Sequence, residues 1–188
     1  MREGLSTVER VLPWRRPQTI DHDPLGPVVR AYRVRHPKSD LSLIQKAHRL
    51  AEQAHDGQTR RSGEPYIVHP LAVAAIVAEL GLDDLTVAAA LMHDAVEDTG
   101  LSLETLALEC GADVASIVDG VTKLDRLSFD SKEAQQAATM RKMLVAMAKD
   151  WRVLIIKLAD RLHNMRTIAA MPEWKQRRTA QETLDIYA

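Results

Sequence analysis

The residues best suited to chemistry lie in the run AALMHDAVEDTG, where His93-Asp94 is followed one helical turn later by Glu97-Asp98. The Ala, Leu and Met content predicts a helix, which would align these side chains in one broad polar stripe. Burying four such groups is costly unless a cation or a hydrogen-bond network engages them. The run therefore predicts part of a metal site, the alternative for Glu97-Asp98 being a solvated helix end before Gly100.

A metal site needs further ligands. A mixed set of imidazole and carboxylate groups can hold a divalent cation and leave positions open for water and substrate. His69 and Asp160 would complete such a set with the His93-Asp94 doublet, but spacing alone does not select them. Other histidines are also available, among them His48, His55 and His163.

The composition favours a helical domain. The chain has 188 residues, of which 46% are hydrophobic, so it can bury one substantial core. Aromatic residues make up only 4%, while Ala, Leu, Val and Met dominate, which favours packed helices over a β-sandwich. The single cysteine, Cys110, excludes an intramolecular disulfide framework and is typical of a reducing compartment.

The charge and hydropathy of the chain argue against some classes of binding partner and against a membrane or secreted location. With 25 basic and 26 acidic side chains, the net charge of −1 offers no global attraction to nucleic acid or to an anionic membrane. No apolar run reaches transmembrane length, and the N-terminus lacks the pattern of a signal peptide. We therefore expect a cytoplasmic protein in which any phosphate binding is local.

Residues 1–23 are rich in Arg and Pro and predict a mobile arm or a weak first helix. Helical periodicity is almost continuous after them. Ser39 or Asp40 caps a helix that extends to about Ala54. The polar segment HDGQTRRSGEPYIV predicts a loop, and the next helix begins at the dipeptide HP because proline suits the first helical turn. His69 is therefore expected at the edge of the loop.

The remaining predicted helices carry the other polar groups. Asp83-Asp84 opens the helix with the two doublets, and shorter helices follow from Ser102 and through ASIVDGVTKL. Residues 125–136 predict a flexible polar connection that acts as a lid, before a helix around MRKMLVAMAKD with core methionines. The segment WRVLIIKLADRLHNMRTIAAM predicts one long helix, and a last helix starts near Glu173. The polar side of the long helix holds Asp160, Asn164 and Thr167.

Three segments occur in a specific order: RRSGEPYIVHP, LMHDAVEDT and IKLADRLHNMRT. They resemble successive signature blocks of HD-superfamily hydrolases of the RelA/SpoT-homologue group, the enzymes that degrade the alarmone (p)ppGpp. An isolated His-Asp dipeptide such as His22-Asp23 carries little information, whereas the ordered blocks are specific. The resemblance implies an all-α HD-domain helical bundle at residues 24–188, with a metal site between helices.

The resemblance also implies an activity, a metal-dependent (p)ppGpp 3′-pyrophosphohydrolase of the stringent response. Such an enzyme hydrolyses ppGpp to GDP and pyrophosphate, or pppGpp to GTP and pyrophosphate. Glu97 and Asp98 would be catalytic, orienting a water molecule or accepting its proton. Manganese is the usual ion of the family, although nickel, cobalt and zinc bind such ligands at least as strongly. The implied metal ligands are His69, His93, Asp94 and Asp160.

Substrate contacts are expected from the loop and from the long polar helix. Guanidinium groups stack on bases or pair with phosphates, and hydroxyl and amide groups form hydrogen bonds. By resemblance, the substrate-binding residues are Arg60, Arg61, Ser62, Asn164 and Thr167. We predict that His163 only supports Asp160 or a loop. We also predict helix-surface ion pairs of little energy for Lys157, Arg161 and Arg166.

Long members of the group continue into an alarmone synthetase domain and regulatory domains. The helix that ends in ETLDIYA has no Gly, Pro or other terminator, which is compatible with a hydrolase domain excised from such a bifunctional protein. The implied partners are (p)ppGpp and, for a fragment, those synthetase and regulatory domains.

Two other functions stay open at the level of the sequence. A different HD phosphohydrolase, such as a nucleotidase, would share the metal ligands and differ in the pocket. A non-catalytic alarmone sensor would use the same pocket and signal through residues 125–136. The RRSGEPYIVHP and ADRLHNMRT blocks argue against the first, and the intact Glu97-Asp98 pair argues against the second.

Overall fold

The computed structural model describes residues 23–125, 141, 145 and 149–187. These residues form helices, with one isolated bridge between Thr59 and Pro65 and no strand among them, so the all-α prediction is confirmed. No helix in these ranges has the length and apolar character needed to cross a membrane. The elements are α1 (Gly26–Arg35), α2 (Ser42–Ala54), α3 (Val68–Glu79), α4 (Asp84–Met92), α5 (Ala95–Asp98), α6 (Leu103–Cys110), α7 (Ala112–Asp125), α8 (Trp151–Arg166), a 3₁₀ turn (Ile168–Ala170) and α9 (Glu173–Tyr187).

Some sequence predictions fall outside this part of the chain. The proposed mobile arm lies there except for Asp23, and so do residues 126–136 of the proposed lid. The predicted core methionines also lie outside, namely Met140, Met143 and Met147.

The centre of the bundle is α4, which packs against α2, α3 and α7. Its residues from Thr86 to Met92 are all buried, as suits a helix that is apolar on every side. Asp83 caps its N-terminus by accepting a hydrogen bond from the Thr86 backbone N–H at 2.9 Å. Burial of a Leu or Met side chain stabilises the fold by about 1.5–3 kcal/mol. The central helix therefore anchors the polar residues that follow it.

The predicted helix through both acidic doublets is divided in the structure. It ends at Met92, and a separate short helix begins at Ala95. The side chain of His93 turns back toward its own helix, with Nδ1 2.8 Å from the Ala90 carbonyl oxygen. The prediction of one continuous helix is therefore wrong, because His93 and Asp94 occupy a junction between two helices. Asp94 and Asp98 nevertheless remain on the same side and share the Tyr66 hydroxyl.

The bounds of other helices differ from the predictions by a few residues. The helix after Asp40 starts at Ser42, whose backbone N–H donates to the Asp40 carboxylate at 3.0 Å. The long helix α8 ends at Arg166 and gives way to the 3₁₀ turn, rather than continuing to Met171. Thr167 accounts for this end, because its hydroxyl and its backbone N–H both donate to the His163 carbonyl.

Helices α7 and α8 approach each other closely at Gly120. A Cβ at this position would lie 2.7 Å from Cγ2 of Val153, a buried residue in the first turn of α8. The absence of a side chain at Gly120 therefore allows α8 to pack against the core. This contact fixes the helix that carries Asp160.

Candidate active site

Four predicted metal ligands meet between three helices, and we call them the ligand cluster: His69, His93, Asp94 and Asp160. His69 lies in the first turn of α3, and His93 ends α4. Asp94 follows at the junction with α5, while Asp160 lies in the middle of α8. The predicted metal site between helices thus corresponds to a real spatial cluster.

The ligand atoms of the cluster face a common centre. One ligand atom each from His69, His93 and Asp160 lies within 4.8 Å of the other two. His69 Nε2 is 3.2 Å from Asp160 Oδ1 and 3.3 Å from Asp94 Oδ2. His93 Nε2 is 3.0 Å from Asp94 Oδ1. The same nitrogen of each ring therefore points at the carboxylates, as a shared cation would require.

Burial and neighbouring charges shift the pKa values of the cluster residues in opposite directions. Burial alone would raise the pKa of Asp94, but His93 and His69 lower it far below the usual range. Burial likewise opposes ionisation of Asp160, and its hydrogen bond with His69 and the charge of Lys157 bring its pKa well below normal. For His93, burial is outweighed by the Asp94 charge, which raises the pKa to about 9. The carboxylates are thus ionised and attract a positive charge.

His93 supplies a test of whether a metal fits. Its Nε2 is buried and has no hydrogen-bond partner among the described residues, although Asp94 Oδ1 is near. In the neutral ring the proton lies on Nδ1 toward the Ala90 carbonyl, so Nε2 offers a buried lone pair that is costly to leave unused. Two imidazole nitrogens and two carboxylates suit a first-row divalent cation such as manganese, cobalt, nickel or zinc. The donor set and the orphaned atom therefore fit a divalent metal.

Both predicted catalytic residues lie beside the cluster on α5, and both are exposed at the pocket surface. Asp98 is held by two neighbours. Its Oδ2 is 2.8 Å from the Tyr66 hydroxyl, and its backbone carbonyl accepts a hydrogen bond of 3.2 Å from Gln58 Nε2. Glu97 lines the same pocket. A water-accessible carboxylate in this position can accept a proton from a reacting water molecule.

Tyr66 is a site residue that the sequence reasoning missed. Its hydroxyl lies 2.9 Å from Asp94 Oδ2 and 2.8 Å from Asp98 Oδ2, so it joins the cluster to the acidic pair. Burial and the two carboxylates raise the pKa of Tyr66 strongly, which keeps the hydroxyl protonated as a donor. The available signal was the position of Tyr66, three residues before His69 in the sequence.

The opposite wall of the pocket combines α8 with the loop after α2. Asn164 Nδ2 donates to Asp160 Oδ1 at 2.6 Å, so Asn164 also borders the cluster. Arg60 Nη2 reaches the side-chain oxygens of Asn164 and Thr167, each at 3.4 Å. Arg60 Nη1 is buried without a hydrogen-bond partner in the described part of the chain. Three predicted substrate residues therefore meet, and one donor is available for an acceptor in the pocket.

The other two predicted substrate residues are more exposed. Arg61 and Ser62 line the pocket at the tip of the loop. Ser62 donates to Glu64 at 2.9 Å, while the Arg60 backbone N–H donates to the Glu64 carbonyl at 2.8 Å. Gly63 has a φ of 87°, which favours glycine and allows the tight turn. The tip of the loop is therefore closed by its own hydrogen bonds.

The structure corrects the prediction for Lys157. Its side chain lies in the pocket, largely buried, with Nζ 2.9 Å from Asp160 Oδ2. Lys157 is therefore part of the charge balance of the ligand cluster and not a surface ion pair. Arg161 does match the surface prediction, since it reaches Glu182 of α9 at 4.0 Å.

The remaining histidines occupy other environments. His163 is buried and contacts His69 rather than Asp160, with the two Nδ1 atoms 2.7 Å apart. Burial and neighbouring positive charges lower the pKa of His163 to about 4. His55 stacks on Tyr66 with ring centroids 4.6 Å apart. His48 is buried on α2. None of these three joins the ligand cluster.

The ligand cluster opens into a pocket of about 800 Å³. This volume is typical of a small-molecule site and is sufficient for a nucleotide. One side carries the acidic pair, the other carries the loop arginines, and Ala170 and Met171 add apolar surface. The pocket therefore combines a cation site, candidate bases and candidate anion-binding groups.

Comparison with known proteins agrees with this arrangement. Residues 47–188 match the HD domain family. A solved structure described as a metazoan orthologue of SpoT that hydrolyses ppGpp has a TM-score of 0.61 and 28% sequence identity, covering 79% of this chain and 84% of that one. The helical fold and the sequence thus point to the same family.

Several curated relatives share about half of the residues. The chain is 56% identical over 164 residues to the probable GTP pyrophosphokinase of Mycobacterium leprae, covering 87% of this chain and 21% of the relative. It is 50% identical over 152 residues to the bifunctional (p)ppGpp synthase/hydrolase SpoT of Escherichia coli K12. This match covers 81% of this chain and 22% of the relative. The same values apply to the guanosine-3′,5′-bis(diphosphate) 3′-pyrophosphohydrolase of E. coli O157:H7.

The chain spans about a fifth of the length of these curated relatives. Their names include both synthesis and hydrolysis of the alarmone, and the part of this chain that matches the HD domain is residues 47–188. The chain belongs to the HD domain family, and its homologues are RelA/SpoT-type proteins.

Proposed function

We propose that this domain is a manganese-dependent (p)ppGpp 3′-pyrophosphohydrolase. The observation that carries the proposal is the ligand cluster at the base of a nucleotide-sized pocket, with Asp98 on one side and Arg60 on the other. Relatives named for alarmone hydrolysis supply the substrate class. The domain occupies residues 24–188 and acts in the cytoplasm, with residues 1–23 as a separate arm.

The reaction adds water to the phosphorus atom next to the 3′ oxygen of ppGpp. The bond between that oxygen and phosphorus breaks, the oxygen takes up a proton, and GDP and pyrophosphate are released. When bound, a divalent cation supplies Lewis acidity that lowers the pKa of the attacking water and polarises the phosphoryl group. The four residues of the ligand cluster would hold it.

The carboxylates of the acidic pair are proposed to take the proton of the attacking water. Asp98 or Glu97 accepts the proton of the attacking water, because both carboxylates face the pocket beside the cluster. The Tyr66 hydroxyl fixes the Asp98 carboxylate by a hydrogen bond of 2.8 Å. A base fixed in this way loses less entropy when the reactants align. The acidic pair therefore has a catalytic role that a simple binding pocket would not need.

Positive side chains on the opposite wall balance the charge of the substrate. Arg60 has a buried Nη1 without a partner in the described ranges, so it is suited to donate a hydrogen bond to a phosphate oxygen or to an acceptor atom of guanine. Lys157 lies beside Asp160 and faces the pocket, close to where the 3′-diphosphate would approach the cluster. Arg61, Ser62, Asn164 and Thr167 are proposed to complete the nucleotide contacts.

The choice of manganese rests on the family resemblance combined with a compatible donor set. Zinc, cobalt and nickel would compete at equal concentration, since such sites follow the general affinity order of divalent metals. The synthetase and regulatory domains of a longer RelA/SpoT-type protein are proposed as partners, because the relatives extend well beyond the matched region.

The test is pyrophosphate release by the metal-stripped domain, with and without added Mn²⁺. The substrates are ppGpp and pppGpp, with GTP as a control for pyrophosphate release and with GDP and guanosine 3′-monophosphate as controls assayed for orthophosphate release. We expect Mn²⁺-dependent release confined to the alarmones. Release from ordinary nucleotides at a similar rate would support a broader HD phosphohydrolase instead. Tight ppGpp binding without turnover would support a sensing module.

A further inference from the structure

We propose that His163 is a positioning residue that holds His69 in the orientation and tautomer needed to bind the metal. The inference rests on the metal site of the proposed function and extends it to a side chain outside the ligand cluster. It starts from one contact, the 2.7 Å distance between His163 Nδ1 and His69 Nδ1.

The two nitrogens of His69 have different surroundings. Nε2 faces the carboxylates of Asp94 and Asp160 at 3.3 Å and 3.2 Å, and so faces the centre of the ligand cluster. Nδ1 faces away from that centre, toward His163. A metal-bound imidazole is neutral and gives the lone pair of one nitrogen to the metal, so its proton stays on the other nitrogen. His69 must therefore carry its proton on Nδ1.

This assignment determines the role of His163. Two facing nitrogens at 2.7 Å form a hydrogen bond only when one donates and the other accepts. Since His69 Nδ1 donates, His163 Nδ1 accepts and its own proton lies on Nε2. The ring of His163 is buried and tilted by 30° relative to His69, so packing keeps the acceptor in place. His163 thus specifies which nitrogen of His69 faces the metal.

His93 provides an internal comparison. Its Nδ1 lies 2.8 Å from the Ala90 carbonyl oxygen. A backbone acceptor therefore keeps the proton of the second histidine ligand on Nδ1. Both ligands then present Nε2 to the cluster. Only the support of His69 comes from a side chain, and only that support can be removed by substitution. Outer partners of this kind typically change metal affinity by about 10–100-fold.

The experiment compares substitutions that differ in the acceptor. His163→Asn places an amide oxygen near the position of Nδ1, whereas His163→Leu fills a similar volume without an acceptor. His163→Gln is a second variant without an acceptor at the Nδ1 position, because its polar atoms lie beyond that position. His48→Leu is the matched control, since His48 is another buried histidine but belongs to α2 outside the cluster. Circular dichroism and thermal unfolding establish that each variant is folded.

The primary readout is the dissociation constant for Mn²⁺ alone, measured on the full metal-stripped chain by the paramagnetic resonance of free Mn²⁺. We expect His163→Leu and His163→Gln to weaken binding by about 10–100-fold, and His163→Asn and His48→Leu to stay within about threefold of the unmodified protein. In the Zn²⁺-loaded chain, the His69 Nδ1 proton should be visible by nitrogen-edited NMR with Asn at position 163 and lost with Leu.

Each outcome has a separate meaning. If the unmodified chain binds no Mn²⁺, the metal site of the proposed function fails. If it binds Mn²⁺ and His163→Leu binds equally well, the metal site stands and the role of His163 is overturned. Equal weakening by Leu and Asn would show that the acceptor is not what matters. If Leu prevents folding, the comparison of Gln with Asn decides the question in the same way.

Discussion

The two walls of the pocket are built in different ways. The ligand cluster is buried between α3, α4 and α8, and its polar contacts around Asp160 range from 2.6 to 3.2 Å. The loop of residues 58–66 is mostly exposed, and Arg60 reaches α8 only through two contacts of 3.4 Å. The first wall is buried in the helical core. The second is closed by hydrogen bonds within the loop and is tied to the helices by the side chains of Gln58, Arg60 and Tyr66.

This difference separates the residues proposed to bind the metal from those proposed to recognise the substrate. Breaking a buried charged pair typically costs about 3–5 kcal/mol, whereas an exposed pair contributes about 0–1 kcal/mol. Changes in the ligand cluster should therefore abolish metal binding and turnover together. Changes in the loop should alter substrate affinity in smaller steps. The five predictions below test this division.

The largest effect is expected from Asp160→Asn. The substitution removes a charged ligand from the cluster and leaves Lys157 without its carboxylate partner at 2.9 Å. We expect a fall in turnover of about 1000-fold or more, because a bound metal provides several kcal/mol of transition-state stabilisation. Metal analysis after dialysis against Mn²⁺ should find far less than one ion per chain. Full occupancy with normal turnover would remove Asp160 from the cluster.

A change in the acidic pair should separate catalysis from metal binding. Asp98→Asn keeps the size of an exposed side chain and should leave folding and Mn²⁺ content unchanged. Turnover should fall by about 100-fold or more, as expected for loss of a general base. Single-turnover kinetics and metal analysis on the same sample check both parts. Near-normal turnover would assign the proton to Glu97 or to another group.

The protonation of His93 makes metal affinity depend on pH. Its pKa is raised to about 9 by the Asp94 charge, so most of the metal-free protein carries the proton at neutral pH. The metal must displace that proton, and its binding therefore strengthens as pH rises and levels off above the pKa. Between pH 7 and pH 8 the Mn²⁺ dissociation constant should fall by about tenfold. A value that does not change over this interval would contradict the assignment.

Removal of the Tyr66 hydroxyl should have an intermediate effect. Tyr66→Phe deletes the link between Asp94 and Asp98 but keeps the ring that stacks on His55. A hydrogen bond to a charged group contributes about 1.5–3 kcal/mol, so we expect kcat to fall by about tenfold or somewhat more. The KM for ppGpp should change little. A change confined to KM would make Tyr66 a substrate contact instead.

The smallest effect is expected at the tip of the loop. Arg61 is exposed, so Arg61→Ala should raise the KM for ppGpp by only about threefold. Arg60→Ala removes a partly buried guanidinium with an unpartnered Nη1 and should raise KM by about tenfold or more. Steady-state kinetics on both variants give the comparison. If Arg61→Ala has the larger effect, the proposed order of the two arginines is wrong.

Much of the ligand cluster could be predicted because its residues combine specific types with a specific order. His93-Asp94 is chemically unusual in an apolar run, and the blocks around His69 and Asp160 resemble known motifs. The all-α class followed from composition and periodicity. The motifs are local in the sequence, but spacing alone did not select His69 and Asp160, and the family resemblance was needed to name them.

Other features depend on tertiary contacts that periodicity does not encode. The division of the helix at His93 involves the ring contact with the Ala90 carbonyl. Lys157 was assigned to the surface because a lysine on a helix is usually solvated, and its pairing with the predicted ligand Asp160, one turn later, was not foreseen. Tyr66 was missed because a tyrosine before a helix is common, and only the structure brings both carboxylates to its hydroxyl.

The central claim is that one metal ion in the ligand cluster drives alarmone hydrolysis. The most direct test is to titrate Mn²⁺ into the metal-stripped domain at a protein concentration well above its dissociation constant and to measure pyrophosphate release from ppGpp at each step. The rate should rise in proportion to added Mn²⁺ and saturate at one equivalent per chain. Release that is already maximal without Mn²⁺, or that never appears on adding it, would contradict the account.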